Sequence, residues 1–222
     1  MSRPCRAPGC TAVTSSPYSP YCPIHRARLR RHGAVNQKGI TKTDLKPYLK
    51  LVQRRIEKNL NSHLWGHLEQ RWGTVTTHAR GLLAAYQRGQ AMARHERIAA
   101  SEVAKLADHV AAQEVIRTAL AMFVMLDQQP RRFPTDPGFR AQLVRRVRRL
   151  TEVNVGTWYD HDSGKVKKVY KDLSPRATAV MGKWLAQAFG GAGGQLARLE
   201  QRDFEAKQQE QQAYRQALLD LT

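Results

Sequence analysis

The chain has 222 residues, 41% of them apolar and 7% aromatic, and its 37 Lys plus Arg against 18 Asp plus Glu give a formal charge of +19. That apolar share supports a packed core and excludes a disordered tail, and no apolar run reaches the roughly 18 residues of a membrane span. A basic surplus of this size costs self-repulsion in the fold and points to a polyanion, with nucleic acid ahead of an anionic membrane surface because the arginines sit in patterned segments.

Charge is unevenly spread. Residues 1–58 hold 13 basic and two acidic side chains, and residues 131–149 hold seven arginines against Asp136 alone. Two basic concentrations are thus expected to flank a nearly balanced scaffold, an arrangement suited to two contacts with one long polyanion. Met1–Cys5 lacks the apolar stretch of a signal peptide, so the expected location is a bacterial cytoplasm or nucleoid, with no membrane partner.

The three cysteines, Cys5, Cys10 and Cys22, all fall in the first tenth of the chain, and His25 follows to give C-x4-C-x11-C-x2-H. An odd number cannot pair off as intramolecular disulfides, and the C-x-x-C spacing of a redox pair is missing. Three thiolates and an imidazole form a closed tetrahedral zinc set, structural because no position is left for water. Pro8-Gly9 can turn the chain between the first two cysteines, and Pro23 suits the first turn of a helix opened by Cys22. So few apolar side chains would not fold this segment without metal, which disfavours free thiols. Zn2+ held by Cys5, Cys10, Cys22 and His25 is therefore expected, with His32 a more distant substitute for His25. The helix continues through Arg26, Arg28, Arg30 and Arg31 to a stop at Gly33, a metal-fixed basic element suited to phosphate contact or base reading.

The run Pro4-Cys5, Cys10, Tyr21-Cys22-Pro23, His25-Arg26 and Arg30-Arg31-His32-Gly33 resembles the short zinc modules at the front of many phage and prophage proteins, some of which accompany endonuclease domains of the His-Asn-His type. The resemblance covers roughly the first 35 residues. It implies a mobile-element origin and association with nucleic acid, without a particular reaction. No His-Asn-His nuclease core follows the module.

After a polar linker, the spacing of Leu45, Tyr48, Leu49, Val52 and Ile56 predicts a helix capped by Thr43, with Pro47 in its first turn. Ser62 caps a second helix carrying Trp65, Leu68, Trp72, Val75, Ala79, Leu82, Leu83 and Tyr86. A third long helix is expected to carry Val103, Leu106, Val110, Val115, Ile116, Leu120, Phe123 and Val124. Together these stripes predict a helical bundle. His63 and His67 have the i, i+4 spacing of a zinc-protease pair, but Leu64 stands where the general base would be, so they read as polar helix residues.

Pro130, Pro134, Pro137 and Gly138 mark a break, with Thr135 or Asp136 capping a helix whose inward stripe is Phe139, Leu143, Val144, Val147 and Leu150. Arg140, Arg145, Arg146, Arg148 and Arg149, with Arg131 and Arg132 nearby, are expected to form a nucleic-acid surface, since arginine's planar fork suits phosphate and guanine and no glutamates are interleaved. Val153–Tyr159 and Val166–Tyr170, joined at Asp162-Ser163-Gly164, predict a hairpin with Lys165, Lys167 and Lys168 as further contacts, resembling the wing of a winged helix. Asp160-His161-Asp162 reads as turn chemistry ahead of a catalytic cluster. Ser174-Pro175 starts another helix, the glycines of 190–194 are expected to end it as a hinge, and the polar remainder reads as a surface or docking helix or a tail.

The expected fold is therefore mainly α: a treble-clef-like zinc module (1–34), a linker (35–43), a helical bundle (44–128), an arginine-rich helix with hairpin and helix (129–190), and a hinge with polar C-terminal segment (191–222). The expected function is non-enzymatic binding of DNA or RNA, as a regulator or as a subunit of a nucleoprotein complex with other protein subunits. A protein-binding adaptor acting on a host polymerase or defence complex and a metal-dependent nuclease are the alternatives.

Overall fold

The structure, a computed structural model, describes residues 3–14 and 16–219. It is mainly helical: α1 (Pro23–His32), α2 (Lys42–Lys58), α3 (His63–Gln87), α4 (Arg94–His109), α5 (Ala112–Gln128), a 3-10 turn (Pro130–Arg132), α6 (Asp136–Arg148), a hairpin of β1 (Val155–Asp160) and β2 (Lys165–Tyr170), and α7 (Pro175–Leu219). The α5 helix is the bundle's centre, touching α2, α3, α6 and α7. Its Val115, Ala119, Leu120, Met122, Val124 and Met125 are sealed from solvent, which accounts for its nearly all-round apolar sequence.

Local starts follow sequence chemistry with one shift. The α2 N-cap is Thr41, whose hydroxyl accepts from the Asp44 amide (3.1 Å) while the Asp44 carboxylate accepts from the Thr41 amide (2.8 Å). This reciprocal box starts the helix before Thr43, the expected cap, and leaves Pro47 inside it. Ser62 and Thr135 cap α3 and α6 as expected.

Three expectations are corrected by packing. The third long helix is two, α4 and α5, meeting at 119°. Extended backbone at Val110 and Ala111 makes this corner, while the apolar stripe runs on unbroken across it. The glycines of 190–194 form no hinge: α7 is continuous for 45 residues. A Cβ at Gly193 would lie 2.5 Å from Phe123 Cβ, so the glycine is there to let α5 and α7 approach closely. Nor is 35–43 a free linker, because Gln37 and Ile40 within it are buried against α6.

The hairpin register pairs Val155 with Tyr170 and Asp160 with Lys165, closing on Gly164 at φ +64°. Among the described residues no third strand joins it, and Trp158, Tyr159, Val166 and Val169 remain about half exposed or more. It is anchored at its base, where Asn154 Nδ2 donates to Glu102 Oε2 (2.7 Å) and Arg148 Nη1 to the Lys171 carbonyl (2.9 Å). No single helix among the described residues is long and apolar enough to cross a membrane.

Candidate metal centre and basic surface

The N-terminal module is built from turns. Cys10 N–H closes onto the Ala7 carbonyl (3.1 Å), with Pro8 and Gly9 (φ +70°) between them, and Pro4 bridges Val13 in antiparallel fashion. The turn presents Cys5 and Cys10 together. Cys22 is the N-cap of α1 and Pro23 its first residue, so His25 lies within the first turn, on the same side as Cys22. His25 Nδ1 is 3.2 Å from Cys22 Sγ and 3.5 Å from Cys5 Sγ, and all four ligand atoms lie within 4.8 Å of one another. A tetrahedral ion with bonds of about 2.0–2.3 Å separates its ligands by roughly 3.3–3.8 Å, so the donor set and its spacing fit a metal ion. Burial pushes the Cys5 thiol up, but the Cys22 and Ala7 backbone, with Cys10 and His25, hold it down at about 6, favouring thiolate. No other cluster of this kind occurs among the described residues, so His63 and His67 stay exposed helix residues.

His32 has a different role from the substitute ligand expected of it. Gln142 Oε1 accepts the buried Ile40 N–H (2.9 Å), which turns its amide nitrogen toward His32 Nδ1 at 3.1 Å. The imidazole must then accept, and so be neutral. Gly33 caps α1 at φ +81°, and a Cβ there would fall 2.4 Å from the Pro137 carbonyl oxygen. Gln37, fully buried, donates to the Arg132 carbonyl (3.0 Å). The N-terminal module is thereby stapled to α6 and to the 3-10 turn before it.

Burial, then Arg145, lowers the His32 pKa, opposed by Asp172 and reinforced by Arg28 and Arg31. The unfolded chain consequently binds more protons in the window below His32's ordinary value of about 6.5, so stability rises with pH through it. The contribution is complete above that value and is lost as the pH falls. Urea midpoints at pH 5 and 7.5 should differ more for the wild type than for His32→Gln; an unchanged difference would remove His32 as the cause.

The two basic concentrations meet. Asp172, just past β2, lies 3.9 Å from Arg31 of α1 and 3.2 Å from Arg145 of α6, and Arg149 stacks over Tyr170 of β2 at 4.8 Å. They form one surface, in place of two separated contacts flanking a scaffold. Arg26 and Arg30 are exposed on α1, and Arg28 Nη1 reaches the Val35 carbonyl (3.5 Å).

Several other predicted contacts are engaged within the fold. Arg148 is buried on Glu102 (2.7 Å), Arg132 pairs with Asp44 (3.2 Å) and Arg140 lies against Gly182 of α7, while Arg131 is exposed. Lys167 and Lys168 pair with Asp160 and Glu152, and Lys165 is exposed opposite Asp160. Asp160 also accepts from Ser163 Oγ (2.6 Å), holding the Asp160-His161-Asp162 segment as a turn. Arg146 is buried.

No protein-family model, curated protein or solved structure matches this chain. Sequence reasoning missed Gln37, Gln142, Glu102 and Asp172, whose partners lie far away in the chain. It also passed over Lys46, Lys50 and Arg54, spaced i, i+4, i+8 beside a shallow groove of about 390 Å³ that Arg117 also lines. That spacing was available to find them.

Proposed function

We propose that the chain is a zinc-stabilised, non-enzymatic nucleic-acid-binding protein, a regulator or a subunit of a nucleoprotein complex. Cys5, Cys10, Cys22 and His25 hold a structural zinc, since thiolates and imidazole suit that ion and four protein donors close its coordination sphere. The phosphate backbone runs over the surface where α1, α6 and the end of β2 meet. The observation that carries this reading is Asp172, a single carboxylate between Arg31 and Arg145 with Arg28 and Arg149 beside them, which leaves the junction strongly cationic.

Fluorescence anisotropy with duplex and single-stranded oligonucleotides tests it. Affinity should fall with salt, with a log–log slope of about 0.9 per phosphate neutralised on duplex and about 0.7 on single strands. Arg30→Glu with Arg149→Glu should weaken binding tenfold or more and flatten that slope, while Gln208→Glu with Gln211→Glu should do neither. Equal effects of the two pairs would sink the assigned surface.

A second reading, contact with a protein partner, is favoured by the hairpin. Residues 152–172 carry four lysines against four acids, a balanced surface bearing Trp158, Tyr159, Val166 and Val169. Hairpin substitutions that abolish a nucleic-acid-independent pull-down and spare oligonucleotide affinity would assign the two roles to separate faces.

A further inference from the structure

Arg146 is in an unusual position for a cation. It is 8% exposed, its Nε is sealed from solvent without a hydrogen-bond partner, and no carboxylate pairs with it among the described residues. Its buried neighbour Arg148, equally 8% exposed, is by contrast satisfied by Glu102, Nε to Oε2 at 2.7 Å. An isolated buried charge is among the costlier features a fold can keep, and an apolar side chain of similar length would ordinarily be more stable there. Burial, followed by repulsion from Arg149 and Arg145, pushes the Arg146 guanidinium down to about 10.

The nearer charges repeat the same sign, with Tyr170 and Asp44 the smaller, opposing influences. Gln142, Arg145, Arg146 and Arg149 follow one another at i, i+3, i+4 and i+7, one face of a helix. On one side this face is closed by α1 through the His32–Gln142 contact (3.1 Å) and the Arg31–Asp172–Arg145 junction. On the other it is closed by the Tyr170 ring, over which the Arg149 guanidinium lies at 4.8 Å. Asp172 is the acid at the edge, held by Arg145 at 3.2 Å.

We propose that this face of α6 is a binding site for one phosphate-class oxyanion, which supplies the counterion Arg146 lacks, with Arg145 and Arg149 as flanking donors and Tyr170 as a wall. Guanidinium groups recognise such anions through paired N–H bonds, and several converging forks make a discrete site where scattered lysines make a diffuse one. The proposal deepens the nucleic-acid reading and rests on it for the source of the phosphate. Asp172 competes with the anion for Arg145, so its removal strengthens binding.

The experiment is thermal unfolding in inorganic phosphate against chloride at matched ionic strength, on the full chain with its metal. The wild type should gain a few degrees in phosphate, by mass action on the folded state. Arg146→Met should lose the phosphate-specific gain and melt in chloride at or above the wild-type temperature, because it removes an uncompensated charge and keeps the stem. Asp172→Asn should enlarge the gain. Equal phosphate gains in wild type and Arg146→Met, no gain in the wild type, or an Arg146→Met protein much less stable in chloride would each overturn the site.

Oligonucleotide titration distinguishes the source. A tenfold or greater loss in Arg146→Met places a backbone phosphate there, whereas unchanged affinity beside an Arg146-dependent phosphate gain assigns the site to free phosphate. If no oligonucleotide binds at all but that gain persists, the nucleic-acid reading fails and the anion site stands. Tight oligonucleotide binding with no Arg146-dependent gain is the reverse case.

Discussion

Chelating the metal is expected to unfold the segment up to Gly33 while leaving the α2–α7 bundle folded. The buried apolar content of the module is Cys5, Ala7 and Cys22, with Cys10, Tyr21 and Val35 partly covered, and two of the three buried residues belong to the Cys3His cluster. Such a core cannot offset the backbone entropy of about 1–2 kcal/mol per ordered residue. In modules of this kind, metal binding is folding free energy, about 10–16 kcal/mol for structural zinc at neutral pH. The α1 helix has no buried residue of its own and no side-chain cap, so it has little reason to persist alone. Trypsin should therefore cut at Arg26, Arg28, Arg30 and Arg31 within minutes in chelator and slowly in zinc, with little change in total helical circular dichroism. Cys22→Ser should behave as the chelated protein does. Protection that survives chelation, with no zinc released to an indicator dye, would make the cluster a set of packed thiols.

The second large effect is expected from Glu102→Ala, with a loss of about 3–5 kcal/mol, the usual cost of leaving one member of a buried ion pair alone. Glu102 is 5% exposed and Arg148 8%, and Glu102 also accepts from Asn154 (2.7 Å) and pairs with Lys105 (3.2 Å). Truncation strands the Arg148 charge and frees the base of the hairpin together. Differential scanning calorimetry should show a melting temperature roughly 10 °C lower, and amide exchange should quicken across β1 and β2. Glu102→Met with Arg148→Met should recover most of the stability, because removing both charges leaves neither stranded, but should leave Asn154 without its acceptor. A double variant no better than Glu102→Ala would show that packing, not charge, holds this corner.

Much of the architecture was legible because it is written locally. The cysteine spacing, the caps at Ser62 and Thr135, and the apolar stripes each depend on residues within a few positions of one another. What stayed hidden depends on partners far along the chain. Seven arginines over 131–149 look unopposed beside Asp136, yet Asp44, Glu102 and Asp172 come from elsewhere to meet three of them. The stretch 35–43 looks like a linker because Gln37 is polar, and only the Arg132 carbonyl, in the 3-10 turn ahead of α6, shows what a fully buried glutamine donates to there. Helical glycines read as a break until Phe123 is seen filling the space that Gly190 and Gly193 leave. The Cys3His cluster is the opposite case, with its four candidate donors packed into the first 25 residues.

The length of α7 has its own consequence. Its first half lies in the bundle, with Ala177, Met181, Leu185, Phe189 and Ala197 buried, and farther along Glu200 and Asp203 pair with Arg55 of α2. Beyond Asp203 the described side chains are exposed, and at about 1.5 Å per residue the stretch from there to Leu219 extends roughly 24 Å. An exposed helical stretch of that length buries little apolar surface to add to its own turns. One unbroken helix thus joins a buried stretch, which opens only when the bundle opens, to an exposed stretch beyond Asp203 that opens at lower cost.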